Sequence, residues 1–249
     1  MKRFVFGACV LLTSETPAFA RGSRRFEPTD LDLTPVGVVE IDTQFGTIGG
    51  NQPRSIAPDV EASLGVAENC ELEVDTTYGV EGGKARFLDQ TWVSVRLGIV
   101  DARNDTKNQG FSAGVQVGPK VPTGIGSRGF GFEGLMVAGG VTGPLHAYAN
   151  LGVIVDSYDT TAESSKRPTG IEAGIDFQYD LDAVDRWSLT SEVGLIQFFS
   201  VSPNQLQITA GTAYRVIPEL ELSVVGLAGI YGDDRWGLLF GVAPRFKAF

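Results

Sequence analysis

The only histidine of the chain, His146, is the first residue whose type could support chemistry. One imidazole cannot build a multi-histidine zinc site, and a serine hydrolase would have His146 as its sole general base. His146 alternates with the apolar Leu145 and Ala147, so its side chain falls on the opposite face. We therefore predict no enzyme and no metal site, and expect an imidazole that is hydrogen-bonded near Tyr148 or Asn150.

Residues 124–129, with the sequence GIGSRG, match the glycine pattern that cradles a dinucleotide pyrophosphate. That pattern binds a nucleotide only where it joins a strand to a helix. From Phe130 onward the sequence is broken by glycines and has strand character, so we interpret the match as a loop. We predict no cofactor.

Acidic residues recur at every second position of several stretches, as in Glu71, Glu73 and Asp75, which alternate with Leu72 and Val74. A pore with such a face would attract cations, because low-dielectric walls focus the field of its charges. Charge pairs that fill the interior are the alternative, and the sequence leaves both open. The candidate residues for a lumen or selectivity role are Glu61, Glu71, Glu73, Asp75, Arg96, Lys120, His146, Asn150, Glu172, Asp176, Glu192 and Arg215.

The elements that position these residues are strands, because apolar and polar residues alternate with period two from about Val36 onward and helical periodicity is absent. The alternating windows exceed ten residues, about twice the usual strand of a soluble sandwich. Such lengths are typical of strands that cross a membrane. The predicted strands lie near 36–46, 56–66, 70–80, 88–100, 110–121, 130–142, 144–156, 168–180, 186–198, 204–216, 218–230 and 235–246.

We predict an all-β fold, an antiparallel transmembrane β-barrel of about twelve strands with periplasmic termini. Closure removes the sheet edges that hydrocarbon does not tolerate, and an even strand number suits a single bacterial chain. The gaps at 67–69, 143 and 217 are short, as periplasmic turns should be. The gap at 101–109 is longer than this rule expects, so ten or fourteen strands remain alternatives. Aromatic residues near the predicted strand ends indicate contact with outer-membrane lipid.

The first residues predict export from the cytoplasm. Lys2 and Arg3 precede a short apolar run, and Ala18-Phe19-Ala20 offers a cleavage site, so residues 1–20 form a signal peptide. Residues 21–35 form a lead-in that is either disordered or folded into the barrel mouth, and 36–249 form the barrel. With Lys2, Arg3 and Glu15 removed, 18 of 20 basic and 29 of 30 acidic residues remain, a net charge of −11. A chain this acidic has no basic face for nucleic acid.

Four short motifs in the second half resemble a known family. They are GPKVPTG at 118–124, ANLG at 149–152, YRVIPELE at 214–221, and WGLLFG at 236–241 followed by Arg245 and Phe246. The chain is similar to bacterial outer-membrane transporters associated with the MetA pathway of phenol degradation, themselves distantly similar to hydrocarbon-uptake barrels. The resemblance implies binding or passage of small organic compounds, aromatic ones included, and brings no catalytic residues.

The barrel-insertion machinery is a further expected partner. Outer-membrane barrels usually end in a phenylalanine that follows apolar residues at alternate positions. Counting back from the terminal Phe249 meets Lys247 and Arg245, whereas counting back from Phe246 meets Pro244 and Val242. The insertion signal therefore is expected three residues before the end of the chain.

Two functions from different classes follow, with a third as a test case. The first is an outer-membrane channel or transporter-like barrel for small solutes, with an acidic lumen that sets selectivity. The second is a closed structural barrel whose external loops bind a partner or surface, with residues 157–167 as the expected contact. A lipid-modifying enzyme that uses His146 is the third, which the inward parity of this residue argues against.

Overall fold

The computed structural model describes residues 33–50, 55–81, 84–87, 90–100, 109–124, 127–156, 158–159, 167–181, 186–199, 204–232 and 234–249. All regular elements within these ranges are strands. They are β1 (Val38–Gly50), β2 (Ser55–Ala67), β3 (Cys70–Glu81), β4 (Lys84–Phe87), β5 (Thr91–Val100), β6 (Gln109–Val121), β7 (Ser127–Arg128), β8 (Gly131–Thr142), β9 (Leu145–Val155), β10 (Tyr158–Asp159), β11 (Thr169–Asp180), β12 (Trp187–Phe198), β13 (Gln205–Ile217), β14 (Leu220–Tyr231) and β15 (Asp234–Lys247). No helix among the described residues is long and apolar enough to cross a membrane.

The twelve long strands form one closed antiparallel sheet. Each strand pairs with its neighbours along the chain, and β1 pairs with β2 on one side and with β15 on the other. This seam joins Glu40 to Arg245 and Phe45 to Phe240 in register. The rings of Phe45 and Phe240 stack with centroids 5.9 Å apart. The predicted fold class, an antiparallel barrel of about twelve strands, is therefore confirmed.

The observed strands agree closely with the predicted ones. The largest difference is at β1, which was predicted to end at residue 46 and continues to Gly50. The sequence analysis did not predict the short strands β4, β7 and β10. β4 pairs with residues 78–81 of β3, and β7 pairs with β10. β7 precedes β8 and β10 follows β9, so their pairing lies beside the open end of the β8–β9 hairpin. The predicted signal peptide, 1–20, and residues 101–108 of the predicted long gap at 101–109 lie outside the described residues.

Side chains alternate between an apolar outer face and a mixed inner face. On β3, Leu72 and Val74 are exposed, whereas Glu71 and Glu73 are buried. The register of β8, where both faces are apolar or small, is also settled. Glu133, Leu135 and Val137 are buried there, whereas Phe132 and Met136 are exposed. An apolar exterior and satisfied backbone pairs are what a sheet in hydrocarbon requires.

The residues just before β1 turn into the barrel mouth. Leu33 and Thr34 are buried. The Thr34 backbone N–H donates to Glu71 Oε2, and the Thr34 and Ser63 hydroxyls are 2.9 Å apart. This end of the barrel carries the short turns, residues 33–37 and the last residues of β15, and we call it the periplasmic end, as the sequence predicts. Only residues 33–35 of the predicted lead-in, 21–35, are among the described residues.

Two glycines make room for this N-terminal segment, residues 33–36. Gly37 has φ +76°, a left-handed conformation that turns the chain from the lumen into β1. A Cβ atom at Gly65 would lie 2.2 Å from the Thr34 carbonyl oxygen and 2.3 Å from that of Pro35. Because these contacts are with backbone, an added methyl group cannot be accommodated by a side-chain rotation. The segment depends on the absence of a side chain at Gly65.

Gly65→Ala should displace the N-terminal segment from the mouth. We expect a cysteine placed at Thr34, in a Cys70→Ser background, to react faster with a water-soluble thiol reagent when Gly65 is replaced. Gly226→Ala is the matched control, since its Cβ would meet only the Ala210 carbonyl oxygen, at 3.7 Å. Equal labelling rates in both glycine variants would show that the segment does not depend on Gly65.

Candidate functional site: the inner face of the barrel

A buried ion-paired cluster occupies the inner faces of β3, β5 and β6. The Arg96 guanidinium lies 2.6 Å from Glu73 Oε2 and 3.3 Å from Glu71 Oε1. Gln116 donates from Nε2 to Glu73 Oε1 and to Ser94 Oγ, and accepts at Oε1 from Arg96 Nε at 3.3 Å. Two carboxylates thus share one guanidinium, and the amide of Gln116 occupies a further carboxylate oxygen. We call these five residues the Arg96 cluster.

A second cluster lies nearer the extracellular end of the same wall. Lys120 on β6 is fully buried, and its Nζ contacts Asp156 Oδ1 and lies 3.6 Å from Glu133 Oε2. Arg167 donates from Nε to the Asp156 carbonyl oxygen at 2.9 Å. A lysine that loses all its water needs such partners, because a desolvated charge costs several kcal/mol. Lys120, Glu133 and Asp156 form the Lys120 cluster.

Apolar side chains share the inner face with these charges. Trp92, Leu135, Val137 and Tyr148 are buried together. Trp92 lies in register between Asp75 and Lys120. The Trp92 indole donates from Nε1 to the Gly118 carbonyl oxygen, so its polar edge is satisfied. The lumen wall from β5 to β9 is therefore packed like a protein core and is not uniformly polar.

The single histidine sits on the inner face near the periplasmic end. His146 Nε2 is 2.9 Å from Asp180 Oδ2, and Gln178 donates to Asp180 Oδ1. The sequence predicted a hydrogen-bonded imidazole inside the barrel, near Tyr148 or Asn150, and the bond shown here is to Asp180. Gln178 of β11 lies directly opposite His146. The next inner-facing residue of β11, Asp180, comes within hydrogen-bonding distance of the imidazole, whereas inner-facing residues of β9 itself are two positions away along the strand.

The glycine motif at 124–129 is followed by strand β8 rather than by a helix.

The remaining candidates divide into buried and solvent-reached groups. Asn150, Glu172, Asp176 and Glu192 are buried on the inner faces of β9, β11 and β12. Thr209 donates to Glu192 Oε2 at 3.4 Å. Glu61, Asp75 and Arg215 are only partly buried, on β2, β3 and β13. Their selectivity role stays a prediction.

Two ion pairs at the periplasmic rim are more open to solvent. Arg245 lies 2.6 Å from Glu40 across the β1–β15 seam, and Arg215 lies 3.6 Å from Glu221 across β13 and β14. The arginine side chains are 36% and 38% exposed, compared with 8% for Arg96. Solvent screening makes such exposed pairs weak. The strong interactions of the inner face therefore lie in the Arg96 and Lys120 clusters.

Several residues of these clusters were missing from the sequence-based set: Gln116, Glu133, Asp156 and Asp180. Glu133 lies on β8, where both faces of the strand look apolar or small. The charge of Glu133 was the one feature of this strand that could have indicated which face points inward. Asp156 and Asp180 end β9 and β11, where alternation alone does not say whether a residue faces the lumen or solvent. The other candidates were found by parity, but parity could not tell which of them pair.

Similar architecture occurs in solved outer-membrane proteins, although no family model and no curated protein sequence matches the chain. The COG4313 outer membrane channel from Pseudomonas putida F1 superposes with a TM-score of 0.65 at 12% identity, covering 88% of this chain and 99% of that one. NanC porin superposes with a TM-score of 0.55 at 11% identity, covering 84% and 99%. At such identities the likeness concerns the fold. That fold, with the apolar exterior, confirms the predicted outer-membrane β-barrel and its location in the outer membrane.

Removing the guanidinium of the Arg96 cluster should strongly destabilise the barrel. Arg96→Met leaves Glu71 and Glu73 buried without their shared cation, which costs about 3 to 5 kcal/mol. Arg215→Met, at an exposed pair, should cost no more than about 1 kcal/mol. Denaturant unfolding in lipid vesicles measures both. Adding Glu71→Gln and Glu73→Gln to Arg96→Met should recover part of the loss, and equal losses for the two arginines would contradict the assignment.

Proposed function

We propose that the protein is an outer-membrane channel that passes small solutes through a lumen with acidic character. The observation that carries the proposal is the part of the inner face that retains solvent access, notably Glu61, Asp75 and the rim pairs of Arg215 and Arg245. Charged side chains at membrane depth are costly unless they line a polar space or are paired. The proposal assigns no catalytic step to the chain.

The solutes favoured by this lumen have an apolar part. The inner face carries an apolar cluster of Trp92, Leu135, Val137 and Tyr148. Passage of hydrated ions alone does not require such a cluster. Leu227 and Leu239 are buried apolar residues on the inner faces of β14 and β15. Small aromatic or other hydrophobic compounds match both this surface and the sequence resemblance. A cationic or neutral compound suits the acidic residues better than an anion.

A closed structural barrel is the second candidate, and the packed wall from β5 to β12 favours it. Buried side chains on that wall, together with the N-terminal segment in the mouth, reduce the open cross-section. In this case the external loops would carry the function. The expected contact at 157–167 lies outside the described residues, except for Tyr158, Asp159 and Arg167.

Planar-bilayer recording separates the two candidates. The refolded mature protein should produce discrete conductance steps, and a salt gradient should give a reversal potential of cation-selective sign. An unfolded sample of the same protein at equal concentration is the control for detergent leak. Absence of steps from a sample that is verified as folded by its β-sheet circular dichroism would contradict the channel and favour the closed barrel.

A further inference from the structure

Asn150, halfway along the inner face of β9, is a buried polar residue that is only 5% exposed. Its amide oxygen, Oδ1, accepts no hydrogen bond from any residue that the structure describes. Buried oxygens of this kind are exceptions in folded proteins, and a water molecule or a bound ligand supplies the missing donor. The chemistry of the surrounding residues decides between these two.

Buried carboxylates surround Asn150 on the neighbouring strands. Gly174 of β11 lies directly opposite Asn150, and the next inner-facing residues of β11 are Glu172 and Asp176. Asp176 in turn lies opposite Glu192 of β12. Diagonal neighbours on paired strands are about 7 to 8 Å apart, within reach of long side chains. The sequences of β9, β11 and β12 contain no lysine or arginine. We call Asn150, Glu172, Asp176 and Glu192 the Asn150 site.

Two of these carboxylates present further acceptor atoms. A Cβ atom at Gly152 of β9 would lie 3.2 Å from Glu172 Oε1, so this oxygen lies over the same strand as Asn150. Thr209 donates to Glu192 Oε2, and both glutamates have other interactions as well. Oε1 of each nevertheless accepts no hydrogen bond from the described residues. The Asn150 site therefore combines negative charge with buried oxygens to which a ligand can donate.

An organic cation fits these acceptors better than water or a metal ion. A buried carboxylate is stabilised by positive charge and by hydrogen-bond donors, and an ammonium group brings a full charge and three donors. Calcium and magnesium need oxygen ligands at about 2.0 to 2.6 Å. Among the described residues, no group of three or more His, Cys, Asp and Glu has the spacing to hold a metal ion.

Apolar side chains adjoin the site on the other side of β9. Val137 of β8 lies directly opposite Asn150, and Tyr148 of β9 lies opposite Asp176. Both belong to the buried apolar cluster of the inner face. A tyrosine ring also attracts cations through its π face. A ligand held here can therefore carry an apolar part next to its charged group.

We propose that the Asn150 site binds the ammonium group of a small amine whose apolar part packs against Val137 and Tyr148. This inference rests on the proposed channel function and names the class of solute. Gly174 and Gly194 lie opposite each other on β11 and β12, so neither strand fills the centre of the site with a side chain. Because the site is on the inner face, the amine reaches it from the lumen.

Calorimetric titration of the folded protein in lipid vesicles, corrected with protein-free vesicles, tests the site. Phenethylamine, which is cationic at neutral pH, should bind saturably. Phenethyl alcohol, of similar size but neutral, should bind on the order of tenfold more weakly, as should phenethylamine to Glu172→Gln. Glu221→Gln, at an exposed rim pair, is the control and should leave the affinity unchanged. Equal affinities for amine and alcohol, or no effect of Glu172→Gln, would overturn the proposal.

Asn150→Leu separates ligand binding from folding. Leucine is similar in size to asparagine but has no acceptor, so the affinity for phenethylamine should fall on the order of tenfold. The stability in denaturant should not fall, because apolar atoms replace an amide oxygen to which no described residue donates. Lower stability with unchanged amine affinity would show that Asn150 has a structural role only and would overturn the proposal.

Bilayer recording distinguishes a failure of this site from a failure of the channel. Phenethylamine should reduce the current that sodium ions carry through the unaltered protein, and should have much less effect on Glu172→Gln. A folded protein that binds the amine but shows no conductance would refute the channel and leave the site standing. Conductance steps without saturable amine binding would overturn the site and leave the channel standing.

Discussion

The pairing of β1 with β15 is the interaction on which the rest of the structure depends. Hydrocarbon offers no hydrogen bonds to a free strand edge, so a sheet in a bilayer must close on itself. Here closure joins residues at opposite ends of the chain, as the contact between Glu40 and Arg245 shows. Once closed, the sheet divides the side chains of every strand into a lipid-facing set and an enclosed set. The lipid-facing set is apolar because it contacts hydrocarbon, whereas the enclosed set mixes charged, polar and apolar residues.

The enclosed side chains are under a constraint that the lipid-facing ones are not. Polar and charged side chains inside the barrel must be either hydrated or paired with one another. Arg96 and Lys120 gather carboxylates from neighbouring strands and exclude solvent, with aromatic and aliphatic groups packed between them. Glu61 and Asp75, on β2 and β3, are only partly buried. Part of the inner face is thus packed like a protein core, and part is not.

Much of this fold was readable from alternation alone, because period two persists for the length of each transmembrane strand. Strand positions, strand number and the inward direction of residues such as Glu71 and Glu172 follow from it. Pairing does not, since parity gives the face of Arg96 but not which carboxylates its guanidinium reaches. For the same reason, alternation placed His146 inside the barrel but did not identify Asp180 as its partner, since contacts across strands depend on register. Alternation also left open whether the lead-in turns into the barrel mouth, since a lone left-handed glycine at Gly37 has no periodic signature.

The closed seam has a consequence for the order of assembly. Strand β1 cannot complete its pairing until β15, the last strand to be made, is available, so closure is a late event of high contact order. The N-terminal segment precedes β1 and is seated in the mouth, with Gly37 accepting a hydrogen bond from the Ala248 backbone N–H. The residues that flank the first and the last strand of the barrel thus meet at one place. A barrel in which β15 has not yet paired lacks both its seam and this contact beside the mouth, so closure of the wall and anchoring of the N-terminal segment occur together.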